Sequence, residues 1–179
     1  MGRRALHHRA SGRADVTGEA ASGTVNLHAT AIVVGATGLL FLGPSGAGKS
    51  RTAFACLAQA RARGWHAALV ADDRTLVTPM LTPGRTPGAG RLIASCPAPL
   101  EGLVELRGTG IVTVPRTPRA VLDLAVALEA PSAEGRLPPE NETFSCAGTA
   151  LPLLRLWADG AADPLSRILA GRPALFSAR

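Results

Sequence analysis

Lysine is almost missing from this chain: Lys49 is the only one among 19 basic residues, the rest being arginine. Tyrosine is absent and aromatic residues amount to 3%. A core must therefore be built from Ala, Val, Leu and Ile, and no aromatic platform exists on which bases could stack. Cysteine is scarce too. Cys56, Cys96 and Cys146 are odd in number and lack paired metal spacing, so neither a disulfide framework nor a zinc site is indicated and free thiols in a reducing compartment fit best. No apolar run reaches the ~18 residues of a membrane-spanning helix, and the basic start is not followed by the apolar stretch of a secretory signal. The expectation is a soluble, cytoplasmic protein without membrane insertion. A formal charge of +6 and a pI near 10.8 would suit nucleic acid if the cations clustered. They gather at Arg3, Arg4, Arg9 and Arg13 and are otherwise scattered, which reads as a bias of the whole chain and not as a nucleic-acid surface.

The place of the single lysine organises the rest. The apolar run Leu39-Leu40-Phe41-Leu42 stops at Gly43-Pro44-Ser45-Gly46-Ala47-Gly48-Lys49-Ser50, a strand, a glycine-rich turn and a helix start with the spacing G-x-x-x-x-G-K-[ST]. Each position has a physical task in a nucleotide site. Glycines let backbone N–H groups curl around anionic oxygens, and the helix beginning near Lys49 adds the positive end of its dipole. Lys49 would reach the β- and γ-phosphates, and the Ser50 hydroxyl would ligate Mg²⁺. A compact ammonium fits inside such a loop where a planar guanidinium does not.

Residues 1–23 show no periodicity and read as a mobile tail ahead of one domain over 24–179. Val25 to Val34 is β-rich, Gly35 to Gly38 is a turn, and with Leu39 to Leu42 they form a hairpin leading into the loop. Taken alone, His28 reads as structural. Lys49 to Arg63 has helical spacing ended by Gly64, and Trp65 is expected to pack into the core at that helix end. Ala67 to Ala71 is apolar without alternation, a strand covered on both faces, and it ends in Asp72-Asp73. Carboxylates at the carboxyl end of a buried strand beside a phosphate loop are where Mg²⁺ and an attacking hydroxyl are handled. Adjacent on an extended chain, the two point to opposite faces and should have different roles.

Further strands are expected over Thr75 to Val77 and Arg91 to Ser95, with Pro79 to Gly90 as a loop between them. Two apolar strands flank Arg107-Gly108-Thr109-Gly110, and Glu105 and Arg107 share a parity, which makes this a second candidate site element. The alternation over Ala120 to Glu129 favours a strand, with an Ala/Leu-rich helix as the alternative. Pro131 to Glu142 reads as a polar loop carrying Arg136, Leu151 to Trp157 as a short strand, and Asp163-Pro164 as the cap of a last helix.

His28 ahead of the loop, Gly43 to Ser50, Leu69-Val70-Ala71-Asp72-Asp73 and the stretch from Ala98 to Val112 with Glu105-Leu106-Arg107-Gly108-Thr109-Gly110-Ile111 add up to a resemblance. The chain resembles the catalytic domain of bacterial HPr kinase/phosphorylase, in a short form without the family's N-terminal domain. The resemblance implies an α/β fold with a P-loop, a nucleotide-binding core similar to that of phosphoenolpyruvate carboxykinase, a mixed sheet and flanking helices. It also implies an ATP- and Mg²⁺-dependent protein kinase that phosphorylates a serine of the phosphocarrier HPr or of a nitrogen-branch relative. By the family's pattern Asp73 is the general base, Lys49 stabilises the transferring phosphoryl, and Ser50 and Glu105 serve Mg²⁺. His28 and Arg136 become active-site residues, with Asp72 and Arg107 in support. The family forms hexamers, which leaves a homo-oligomer open.

One departure concerns the reverse reaction, removal of the seryl phosphate by inorganic phosphate. Where the family carries a basic Pro-Arg-Pro-Gly-Arg-Asn-like loop, this chain has Arg155-Leu156-Trp157-Ala158-Asp159-Gly160, which speaks against that activity. The alternatives to the seryl kinase are another P-loop enzyme, such as a small-molecule kinase, and a non-catalytic nucleotide-binding regulatory module.

Overall fold

Along the strand ahead of the glycine loop, alternate side chains go to two different cores. Leu39 and Phe41 pack toward helices, while Leu40 packs toward a second sheet, all three fully buried. A strand with both faces covered needs no polar side, which explains its unbroken apolar run. The computed structural model describes residues 23–80, 90–106, 108–131, 141–157 and 163–176. Residues 1–22 of the predicted tail, most of the expected loop after Pro79, Arg107 and Arg136 therefore lie outside the described residues.

In chain order the elements are β1 (Val25–Leu27), β2 (Thr30–Val34), β3 (Thr37–Leu42), α1 (Lys49–Ala62), β4 (Ala67–Ala71), β5 (Thr75–Met80) and β6 (Arg91–Ser95). They continue as β7 (Leu103–Leu106), β8 (Gly110–Thr113), β9 (Arg119–Leu122), β10 (Leu124–Glu129), β11 (Thr143–Cys146), β12 (Thr149–Trp157) and α2 (Pro164–Gly171). A six-stranded mixed sheet has the order β11-β12-β10-β3-β2-β4, with β10 parallel to both β3 and β12. A four-stranded antiparallel sheet, β1-β5-β6-β9, covers one of its faces, and α1 and α2 cover the other. The β7–β8 hairpin stands apart from both sheets.

Helix α1 buries Ala53, Cys56, Leu57 and Ala60 against the six-stranded sheet, an apolar stripe at i, i+3, i+4 and i+7 spacing. The N–H groups of Gly64 and Trp65 close its end onto the carbonyls of Arg61 and Ala60, the Schellman pattern in which a glycine follows the last turn. Helix α2 is capped as its sequence announces: Asp163 accepts from the Ser166 N–H at 2.9 Å, with Pro164 in the first turn. Cys56, Cys96 and Cys146 are all buried and free, and burial pushes the Cys56 thiol up to about 12. Among the described residues, no helix is long and apolar enough to cross a membrane.

Four expectations need correction. The run from Ala120 to Glu129 is not one strand: it breaks at Asp123, leaving β9 in the four-stranded sheet and β10 in the six-stranded one. Trp65 is 38% exposed and lies against the ring of Phe176, outside the core. The strand from Thr75 continues through Pro79 to Met80, because β6 pairs with Leu76 to Met80 while β1 covers only Thr75 to Val77. The chain also forms an unforeseen strand at β11, whose alternating pattern is short and whose partner β12 is longer than expected.

Candidate active site

The chain passes between the two sheets at two neighbouring points, and both carry a titratable side chain. His28 occupies the bend between β1 and β2, and Asp72-Asp73 the turn between β4 and β5. Thr75 fastens the two passages together by donating to the carbonyl of Ala29 at 2.7 Å. Since β3 and β4 flank β2 and are both antiparallel to it, their carboxyl ends lie at the same end of the sheet, and the Asp pair faces the glycine loop.

Adjacent residues in extended chain point opposite ways, and here the two carboxylates part completely. Asp72 is 7% exposed and turned inward, where its Oδ1 accepts from Ser50 Oγ at 2.8 Å and from Thr30 Oγ1 at 2.7 Å. Its Oδ2 lies 3.4 Å from the backbone N–H of Glu105. Asp73 is turned outward with a side chain 68% exposed, and its Oδ1 lies 2.8 Å from His28 Nδ1. Its backbone has φ 62°, and the Arg74 N–H reaches back to the Asp72 carbonyl at 2.7 Å. That is a three-residue turn with a positive central φ, a strained arrangement uncommon outside functional sites.

Across the cleft the loop after β3 opens into α1. Gly43, Gly46 and Gly48 have φ of 147°, 82° and 87°, values a side chain would resist. No side chain caps the start of α1, so its first N–H groups remain free for an anion. Lys49 Nζ donates to the carbonyls of Gly43 and Pro44 at 3.0 and 3.1 Å. Burial lowers its pKa, while Asp73 and Asp72 pull in the other direction. These groups share a cavity of about 580 Å³ whose wall includes Gly48, Lys49, Ser50, Asp72, Asp73 and Glu105.

An ammonium, a hydroxyl and three carboxylates around one cleft can neutralise a polyphosphate together with a divalent cation. Magnesium is commonly held by one or two carboxylates plus substrate oxygens, with no all-protein cage. The donors here, Ser50 Oγ with Asp72 behind it and Glu105 on the facing wall, fit that pattern.

A family comparison matches residues 19–155 to the HPr serine kinase C-terminal domain. The chain belongs to this family. Among solved structures, the HPr(Ser) kinase/phosphatase from Coxiella burnetii superposes with a TM-score of 0.65 at 21% identity, over 86% of this chain and 99% of that one. This likeness establishes a shared mixed α/β fold. No curated protein matches the chain.

Of the residues singled out in the sequence, Lys49, Ser50, Asp72, Asp73 and Glu105 line one cavity, and His28 lies beside it through Asp73. Arg107 and Arg136 lie outside the described residues. Sequence reasoning missed Thr30, Phe54, Leu106 and Thr109, of which the last three line the cavity. Thr30 offered a faint signal, a hydroxyl in an otherwise apolar strand two residues beyond His28. Leu106 and Thr109 were inside the quoted Glu-Leu-Arg-Gly-Thr-Gly stretch and carry no titratable group to single them out.

Proposed function

We propose that this domain is an ATP-dependent protein serine kinase acting on HPr or a nitrogen-branch relative. One observation carries the reading: Asp73, held in a strained outward turn and paired with His28, faces the same cavity as the glycine loop, Lys49 and Ser50. The acceptor serine would enter from the exposed side. Its Oγ attacks the γ-phosphorus of ATP, the bond to the β-phosphate oxygen breaks, and the hydroxyl proton passes to Asp73. A carboxylate within hydrogen-bond reach of the attacking hydroxyl can take that proton late in transfer. His28 at 2.8 Å keeps the carboxylate aimed outward.

Lys49 would exchange the Gly43 and Pro44 carbonyls for phosphate oxygens, and the free N–H groups of α1 would complete the cradle. Ser50 and Glu105 would hold Mg²⁺, with Asp72 behind Ser50. Bound there, the cation supplies charge neutralisation for the phosphates. Arg107 and Arg136 are proposed as further site residues on the family's pattern.

The forward reaction ranks above the reverse one. Arg155, the basic residue where the family carries its phosphorolysis loop, is already engaged: Glu142 takes its guanidinium in two bonds of 2.7 and 2.8 Å, and Glu129 takes a third.

The test is direct. Purified protein, Mg-ATP and HPr from the same genome should yield phosphoserine on HPr, read by mass spectrometry. ATP binding without any phosphoserine would favour a regulatory module instead. Phosphate-driven loss of the seryl phosphate at a rate matching the forward reaction would show that Arg155 is not a barrier to the reverse one.

A further inference from the structure

The bond between Thr30 and Asp72 depends on an irregularity in the sheet. Strands β2 and β4 pair antiparallel, with Val34 opposite Ala67, Val33 opposite Ala68 and Ile32 opposite Leu69, and then the register shifts so that Ala31 faces Ala71. Val70 is the extra residue of a β-bulge. Without it Asp72 would lie across from Ala29. With it Asp72 lies across from Thr30.

A one-residue slip also changes the face to which every later side chain points. Leu69 packs on the helix side of the sheet and Val70 on the side of the four-stranded sheet, so regular alternation would send Asp72 to the latter side, away from α1. The bulge turns it to the helix side, where Ser50 Oγ reaches it at 2.8 Å. Thr30 belongs to the same face as Ile32 and Val34, which pack with α1.

We propose that the Val70 bulge and the Thr30 hydroxyl form a registration device that aims Asp72 at Ser50 and so prepares the Ser50 oxygen for a divalent cation. Thr30 is fully buried and donates to the oxygen that also accepts from Ser50. The Thr30 bond fixes the rotation of the carboxylate. Asp72 then takes the Ser50 proton in a hydrogen bond, and the lone pairs of Ser50 Oγ are left for a cation. Thr30 touches neither cation nor nucleotide in this scheme; it is a positioning residue acting through Asp72, as outer partners act on metal ligands elsewhere.

This inference rests on the proposed nucleotide site, and calorimetry with two ligands separates the two. Wild-type protein is titrated with Mg-ATP and with ATP in excess EDTA, alongside Thr30→Val and Thr30→Ser. The expected result is that Thr30→Val loses about tenfold of the preference for Mg-ATP over metal-free ATP. Its metal-free binding should stay within about twofold of wild type, and Thr30→Ser should restore the preference. A Thr30→Val protein with the wild-type preference, or with both forms weakened equally, overturns the device and leaves the nucleotide site standing. A wild type that binds neither form overturns both. Should Thr30→Val not fold by circular dichroism, Thr30→Ala removes the same donor and carries the measurement. If neither folds, the hydroxyl serves the core and the proposal fails.

Discussion

The chain crosses from one sheet to the other at a third point, and it makes an instructive contrast with the first two. At the break between β9 and β10, Asp123 is locked to Gly38. Its carboxylate accepts from the Gly38 N–H and its own N–H donates to the Gly38 carbonyl, both at 2.9 Å. The backbones there are so close that a Cβ on Gly38 would lie 1.9 Å from the Val121 carbonyl oxygen. At the opposite end of β3, Asp73 makes the same kind of passage with a positive φ and its carboxylate half in solvent beside His28. Both aspartates solve one architectural problem. The first has its charge satisfied by backbone and serves stability, whereas the second is held in strain with its charge displayed, as the proposed role of Asp73 requires.

The contrast is sharpest under substitution. Gly38→Ala has no room at the braced crossing and should cost about 3 kcal/mol of stability, measured by urea unfolding. A variant as stable as wild type would mean that the crossing can spread. His28→Ala at the displayed crossing should do the opposite. Phosphoryl transfer should fall about a hundredfold while the unfolding midpoint stays put, since His28 is half exposed with a side chain at 50%.

The strain itself is measurable. Asp73→Gly should raise stability by about 1 kcal/mol, because glycine accepts the positive φ, while removing activity. A loss of stability would show that the Asp73 side chain holds the turn together. The smallest effect belongs to the clamp at β12. The Arg155 hydrogen bond holds the Glu142 carboxyl below the usual glutamate range, against an opposing push from burial. A carboxylate whose folded pKa is depressed adds stability at neutral pH and loses it as pH falls through that depressed value. Thermal melts should therefore show wild type above Glu142→Gln near neutrality and the two converging in acid. A gap independent of pH would remove the ion pair from the account.

Much of this site was legible because its signals are local. The glycine spacing, the single lysine, the end of α1 at Gly64 and the Asp pair closing an apolar run are all patterns within a few residues of one another. The split of the run at Asp123 was not legible, since Leu122 and Leu124 keep the same alternation on either side of it while belonging to different cores. Which sheet a strand joins is decided by partners far along the chain. The role of Thr30 is hidden for the same reason, because it arises from a shift in pairing with β4, and Trp65 shows that a large apolar residue after a helix can meet a late partner, Phe176, at the surface.

The central claim is that the strained Asp73 is the proton acceptor of a phosphoryl transfer, and Asp73→Asn tests it most directly. The substitution keeps the size and removes the base. With Mg-ATP and HPr, phosphoserine formation should fall by about a thousandfold, while Mg-ATP affinity and the melting temperature remain those of wild type. A variant that still phosphorylates HPr at a near wild-type rate would contradict the account.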